Sequence, residues 1–263
     1  QRIVTAYNGG VYDLSSMRLI TYGSAPAAPA LIVKMLEKFP NVKLQQLYGL
    51  TEMSGGWVTY LYHHDHLRGL KDKPELLTSA GRPGLHMEAK IADNEGNPLP
   101  AGEIGELWLK SNSRMMGYHN LPELTSQTMD GDWLRTHDIA KMDEEGYIYL
   151  VDRKNFLIIT GAANVYPSHV ENTIAEHPAI REVAVVGAPH PEWGEAVVAM
   201  VSLYPNESAT EKELIQFCKT KLSKFSAPKF IDIVDELPKG VTGKILKKNI
   251  KTFYQDNPNS LPW

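Results

Sequence analysis

The stretch MRLITYGSAPAAPALIVKMLEKFPNVKLQQLYGLTE, residues 17–52, decides the fold. Its opening residues, Met17 to Tyr22, are a short apolar run that predicts a strand ending at Gly23-Ser24-Ala25-Pro26. From Ala27 to Phe39 the apolar residues Leu31, Met35 and Leu36 recur at helical spacing, and Pro40-Asn41 stops the pattern. Lys43 to Tyr48 resumes as a strand. Strand, helix and strand within about thirty residues make the right-handed parallel unit of an α/β sheet. Ligands of such sheets bind beyond the C-terminal strand ends, so the residues after Tyr22 and Tyr48 are the first site candidates.

Past residue 80 the pattern changes. Glu88 to Ala92, a turn at Asn94-Glu95-Gly96, Gly105 to Lys110, and short runs near Trp133 and at Tyr147 to Val151 predict an antiparallel small barrel or distorted sheet. Beyond Asp152 come a strand at Leu157 to Thr160, a helix at Pro167 to His177, strands at Val183 to Ala188 and Val197 to Tyr204, a helix at Thr210 to Leu222 and a strand at Lys229 to Val234. That alternation predicts a compact α+β domain. The junction near 152–155 is short and not low-complexity, which indicates a hinge rather than a tether.

The chain has 263 residues, enough for two domains at roughly 150 residues each. A hydrophobic share of 43% and a charged share of 22% are those of a protein with a packed core. A net charge of −4, with lysines concentrated only near the C-terminal end, argues against nucleic acid as a partner. The single cysteine, Cys218, excludes an intramolecular disulfide framework and an all-cysteine metal site, and reads as a half-buried helix residue. No run approaches a membrane span of about 20 apolar residues, and no signal segment opens the chain, so a cytoplasmic protein is expected. The chain starts at Gln1, without Met and in running sequence, and is expected to be a fragment.

Three stretches carry candidate chemistry. Tyr48-Gly49-Leu50-Thr51-Glu52 places a hydroxyl and a carboxylate at a strand end; Thr51 suits phosphate or metal, and Glu52 is a hard ligand of the kind Mg²⁺ accepts with a nucleotide. The plain alternative is a turn followed by a solvated Glu. Within Trp133-Leu134-Arg135-Thr136-His137-Asp138, the Asp138 carboxylate can accept two hydrogen bonds from a ribose diol, the alternative being an exposed turn residue. Asp152-Arg153-Lys154-Asn155 leads into an apolar strand and then Gly161-Ala162-Ala163, a small-residue turn that lets backbone approach a ligand or simply connects strand to helix. His63, His64 and His66 read as an exposed polar turn, with metal ligation the minor alternative.

The order of YGLTE (48–52), GELWLKSNSRMMGYHN (105–120), WLRTHD (133–138), DRKNFLIITGAANVYPSHVE (152–171) and LPKGVTGKILKK (237–248) resembles the adenylate-forming superfamily, specifically its acyl-CoA synthetases. The resemblance covers nearly the whole chain. It implies an α/β and α+β fold in which a partial N-terminal domain, made of an α/β sheet piece (1–80) and a small β-barrel (81–152), precedes a complete small α+β C-terminal domain (153–263) that turns about a hinge near Asn155. It implies ATP or AMP, Mg²⁺ and coenzyme A as ligands and a monocarboxylic fatty or aryl acid as substrate. Gly23, Ser24, Ala25 and Pro26 would line the adenine and acyl pocket, with Tyr48 and Gly49 beside the adenine. Thr51 would touch the α-phosphate, Glu52 would bind Mg²⁺, and Asp138 and Arg153 would hold the ribose. Lys244 would reach the carboxylate and phosphate during adenylation, and the loop at Gly161 would serve thioester formation. Among the other lysines of that stretch, Lys247 and Lys248 read as solvated and Lys239 as a turn residue.

Three positions depart from the family pattern: Asn155 where Asp or Lys is usual, His137 where Gly is usual, and Ala163 where a carboxylate is usual. The family's phosphate loop has no counterpart in these residues, so an upstream segment is expected to supply it and this chain alone is expected to show negligible carboxylate-dependent ATP–pyrophosphate exchange. Two other readings stay open: a non-catalytic nucleotide-binding or assembly module, and an acyl-AMP ligase that passes its product to a carrier-protein thiol.

Overall fold

In a computed structural model of the chain, strand β1 (Leu19–Gly23) and strand β2 (Lys43–Gly49) lie parallel, joined through helix α1 (Pro29–Lys38). The structure describes residues 4, 7, 13–23, 27–161, 163–241 and 243–263; Ser24, Ala25 and Pro26, together with Ala162 and Thr242, lie outside them. Helix α1 starts at Pro29 because a proline needs no backbone donor in the first turn. It buries Ile32 and Met35 against Val42, Leu44 and Leu77, each such side chain contributing about 1.5–3 kcal/mol relative to exposure.

Strand β3 (Trp57–Leu61) pairs antiparallel with β2, and β4 (Arg82–Pro83) antiparallel with β3, in the order β1-β2-β3-β4. A second, antiparallel sheet forms a half-barrel from β5 (Glu88–Ala92), β6 (Ile104–Lys110), β7 (Met129–Asp130), which follows helix α3 (Pro122–Thr128), β8 (Trp133–Met142) and β9 (Ile148–Arg153), ordered β5-β6-β8-β7 with β9 also on β8. Tyr48, Met53 and Val58 from the first sheet share one apolar cluster with Leu107, Leu109, Leu134 and Ile148 from the second. That cluster joins the two sheets into one unit, Gln1–Leu150.

The histidine-rich segment is helix α2 (His63–Lys71), not an exposed turn. His66 is fully buried: its Nδ1 donates to Tyr62 O at 2.7 Å, so its Nε2 accepts from the Tyr22 hydroxyl at 2.7 Å. Burial holds this imidazole below its ordinary pKa. Asp65, also fully buried, accepts from the Tyr62 backbone at 2.9 Å and the Tyr147 hydroxyl at 2.5 Å. Next to them Glu145 receives Arg68 at 2.9 Å and Lys73 at 2.8 Å. The segment reads as polar in sequence because its partners Tyr22 and Tyr147 lie 44 and 82 residues away.

The second unit, Val151–Trp263, is built on a sheet ordered β11 (Ala163–Val165), β10 (Ile158–Thr160), β13 (Gly194–Leu203), β12 (Ile180–His190), with β14 (Phe230–Ile233) parallel to β13. Its two long strands alternate with period two. Val185, Val197, Ala199 and Val201 face a cluster containing Val170 and Ile174 of helix α4 (Pro167–Ala175) and Leu214 and Cys218 of helix α5 (Glu211–Lys219). Ala184, Val186, Val198 and Met200 face Ile250 and Tyr254 of helix α6 (Lys247–Asp256). Cys218 is therefore wholly buried rather than half-buried. No helix among the described residues is long and apolar enough to cross a membrane.

The Arg68 and Lys73 contacts hold Glu145 at about 2, below its ordinary 4.5. A depressed carboxylate contributes stability above its unfolded pKa and loses it as pH falls through the folded value. The urea midpoint of the first unit is expected to fall between pH 4.5 and 2, less steeply in Glu145→Gln, and both slopes to shrink in high salt; equal slopes for the two proteins would refute this assignment.

Candidate functional site

Tyr48 stands where β2 leaves the sheet. Gly49 follows it because a Cβ there would lie 2.3 Å from Gly56 O, and the pairing of β2 with β3 shifts register between the two residues. The Tyr48 ring is packed into the cluster between the sheets, and its hydroxyl donates to Asp138 Oδ2 at 2.5 Å. Two stretches 90 residues apart in sequence therefore meet at one side-chain pair. Asp138 is buried within β8, not in an exposed turn.

A bulge places Asp138 there. Between the pairs Glu106–Ile139 and Trp108–Arg135, β6 has the single residue Leu107 where β8 has Thr136, His137 and Asp138. His137 takes up the excess with φ +58°, in the left-handed region that favours glycine. Thr136 Oγ1 donates to Leu107 O at 2.7 Å and accepts the Asp138 N–H at 3.0 Å. The His137 N–H donates to Glu106 Oε1 at 3.1 Å, and His137 Nδ1 lies 3.1 Å from the same oxygen.

Thr51 and Glu52 open the 3₁₀ turn Thr51–Met53 after β2, Thr51 exposed and Glu52 half-buried. The Tyr118 hydroxyl donates to Glu52 Oε1 at 2.8 Å, and the Met115 N–H to Glu52 O at 2.8 Å. Burial, with the Glu52 contact added, pushes the Tyr118 phenol upward in pKa, so Tyr118 stays a donor at neutral pH. No group of three or more metal-binding side chains occurs among the described residues. A cation here would rest on Glu52, water and ligand oxygens, a donor set that suits Mg²⁺. Gly23 closes β1 opposite Leu47, at the same sheet end as Tyr48; Ser24, Ala25 and Pro26 lie outside the described residues.

The other candidates belong to the second unit. Arg153 ends β9, exposed; its N–H donates to Asp152 Oδ1 at 2.7 Å, while Asp152 Oδ2 accepts from Ser168 N at 2.7 Å in the first turn of α4. Gly161 has φ +60°, a value L side chains rarely adopt, and its N–H donates to Trp193 O at 2.8 Å. Lys244 is exposed on a tight return in which Leu246 N donates to Pro238 O and Gly240 N to Lys244 O, at 2.8 and 2.9 Å.

Lys247 is not solvated. Opening α6, it reaches the Glu171 carboxylate of α4 at 2.7 Å and lies over the Phe156 ring at 5.7 Å. Burial raises the Glu171 pKa, and Lys247 opposes that rise. Lys239 is more than a turn residue, since it bridges Glu182 and Glu236 at 2.8 and 3.1 Å. Sequence reading singled out neither Glu106 nor Tyr118. The one available signal was a carboxylate at an inward position of the GELWLK strand. A separate cleft of about 670 Å³ in the first unit, lined by Lys110, Arg114, Glu88 and Asp132 among others, contains none of the candidate residues.

Two family models match the chain: one described as AMP-binding enzyme over residues 2–119, and one described as AMP-binding enzyme C-terminal domain over residues 169–244. A medium/long-chain-fatty-acid–CoA ligase, FadD8 of Mycobacterium tuberculosis, is 37% identical over 92% of this chain and 42% of its own length. The amide bond synthetase McbA from Marinactinospora thermotolerans is 38% identical, with a TM-score of 0.79 over 93% of this chain and 48% of its own. The o-succinylbenzoate–coenzyme A synthetase of Bacillus subtilis, solved in complex with AMP, is 29% identical, with a TM-score of 0.80 over 95% and 48%. The chain thus spans about half the length of the relatives it matches.

Tyr48→Phe removes one donor from the buried Asp138 carboxylate and is expected to cost about 1–3 kcal/mol of first-unit stability, read by urea denaturation. An unchanged midpoint would mean that this hydrogen bond does not fasten the sheets.

Proposed function

Because the chain belongs to the AMP-binding enzymes of the adenylate-forming superfamily, we propose that it supplies the ribose-, magnesium- and carboxylate-facing parts of a cytoplasmic ATP-dependent acid–thiol ligase. The substrate class is a monocarboxylic fatty or aryl acid. Met53-Ser54-Gly55-Gly56-Trp57, after the Glu52 turn, contains no cation for a second carboxylate, and one relative is named for medium- and long-chain fatty acids. The observation that carries the reading is the Tyr48–Asp138 contact beside Thr51 and Glu52, which gathers an aromatic face, a ribose acceptor and hard oxygen ligands at one strand end.

In the first half-reaction an oxygen of the acid attacks the α-phosphorus of ATP and pyrophosphate leaves. In this reading Asp138 accepts from the ribose hydroxyls, Thr51 donates to the α-phosphate, and Glu52, which accepts from the Tyr118 hydroxyl, would ligate Mg²⁺. Mg²⁺, when bound, would supply charge neutralisation at the phosphates. Lys244 brings a cation to the oxygens on which negative charge develops. In the second half-reaction a thiolate attacks the acyl carbon and AMP leaves, with the Gly161 loop beside the incoming thiol. Lys244 and the Gly161 loop thus serve different half-reactions. Residues outside this sequence would supply the phosphate loop for the β- and γ-phosphates. Coenzyme A is the acceptor preferred here. The likeness to an amide bond synthetase keeps transfer to another nucleophile as the second reading.

Lys244→Ala is expected to slow adenylation by about 10²–10³-fold while leaving thioester formation from preformed acyl-adenylate within about threefold. Gly161→Leu is expected to do the reverse. Both half-reactions are to be measured in a polypeptide that also carries the phosphate loop, with products identified by mass. Equal losses in both steps for both variants would refute the division of labour, and acyl transfer to an amine or carrier thiol but not to coenzyme A would favour the second reading.

A further inference from the structure

His137, the residue before Asp138, has φ +58°, a left-handed conformation that is uncommon for any residue but glycine and costs an L side chain energy. What opposes that cost is visible. Glu106 is 4% exposed, and its Oε1 takes the His137 N–H at 3.1 Å with His137 Nδ1 also 3.1 Å away. An ionised carboxylate only accepts, so Nδ1 carries the proton. Buried in the sheet, the carboxylate needs those donors, and the bulge needs the carboxylate. If His137 relaxed to ordinary extended backbone, the two-residue excess of β8 would collapse and Asp138 would turn away from Tyr48.

We propose that Glu106 is a positioning residue for nucleotide binding: it clamps His137 in the left-handed conformation and thereby aims Asp138 at the ribose. The proposal rests on the reading of Asp138 as the ribose acceptor. It has a sharp consequence. Glycine enters the left-handed region without penalty, so placing glycine at 137 makes the clamp dispensable.

The test is AMP titration by calorimetry on the 263-residue chain and its variants. Glu106→Ala is expected to weaken AMP binding about tenfold, and Glu106→Ala/His137→Gly to return it to within about threefold of the parent. His137→Gly alone is the reference against which the double variant is read. A carboxylate that merely fills space would not be rescued by a glycine at its partner. Parental affinity in Glu106→Ala, or a double variant as weak as the single one, overturns the proposal. If Glu106→Ala does not fold, Glu106→Gln with and without His137→Gly makes the same comparison with the volume kept.

Asp138→Asn separates the two layers of the argument. If the parent fails to bind AMP, or Asp138→Asn binds like the parent, the ribose reading fails. Amide exchange over residues 133–142 then judges the clamp by itself. Faster exchange in the Glu106 variant, reversed by His137→Gly, upholds the clamp; unchanged exchange overturns it.

Discussion

The first unit depends on one buried side chain doing two things. The Tyr48 ring fills the seam between a mixed sheet and an antiparallel half-barrel, and its hydroxyl meets a carboxylate that arrives from 90 residues away. The ring buries apolar surface at the seam, and the hydroxyl gives the buried carboxylate a donor. Together they fix Asp138 beside the turn that carries Thr51 and Glu52. The bulge at His137, the Glu106 contact and the Tyr118–Glu52 hydrogen bond all adjust side chains around that pair.

The second unit solves a different problem. Its central strands are apolar on both faces, so the sheet needs cover on each side. Helices α4 and α5 cover one face and α6 the other. Helix α6 begins three residues after Lys244, and its first residue is fastened to Glu171. The loop that carries the candidate lysine is thus short, exposed and tied at its far end, an arrangement that lets a cation be presented to a ligand without loosening the domain.

Most of the architecture was legible in sequence because its signals are local. The apolar periodicity of Leu31, Met35 and Leu36 gave α1, and the alternating runs at Val183 and Val197 gave the long strands; the ends differ by a few residues where Pro29 or a cap decides. What escaped has long-range causes. Helix α2 looked polar because Asp65 and His66 find partners in Tyr147 and Tyr22. Helix α6 was not read, and Lys247 and Lys248 looked solvated, because the lysines hide the spacing of Ile250 and Tyr254 and Lys247 finds Glu171 only in the fold. Of the site, the motif residues were readable one by one, but the contact between Tyr48 and Asp138 was not, and neither Glu106 nor Tyr118 announces its partner in the chain.

The central claim is that the strand end carrying Tyr48 and the bulge carrying Asp138 form one nucleotide site. Photolabelling with 8-azido-AMP, followed by peptide mapping, tests it most directly. Label is expected in the peptides that span residues 43–53 and 133–141, suppressed by excess AMP. Label confined to other peptides, or label at these two that excess AMP does not displace, would contradict it.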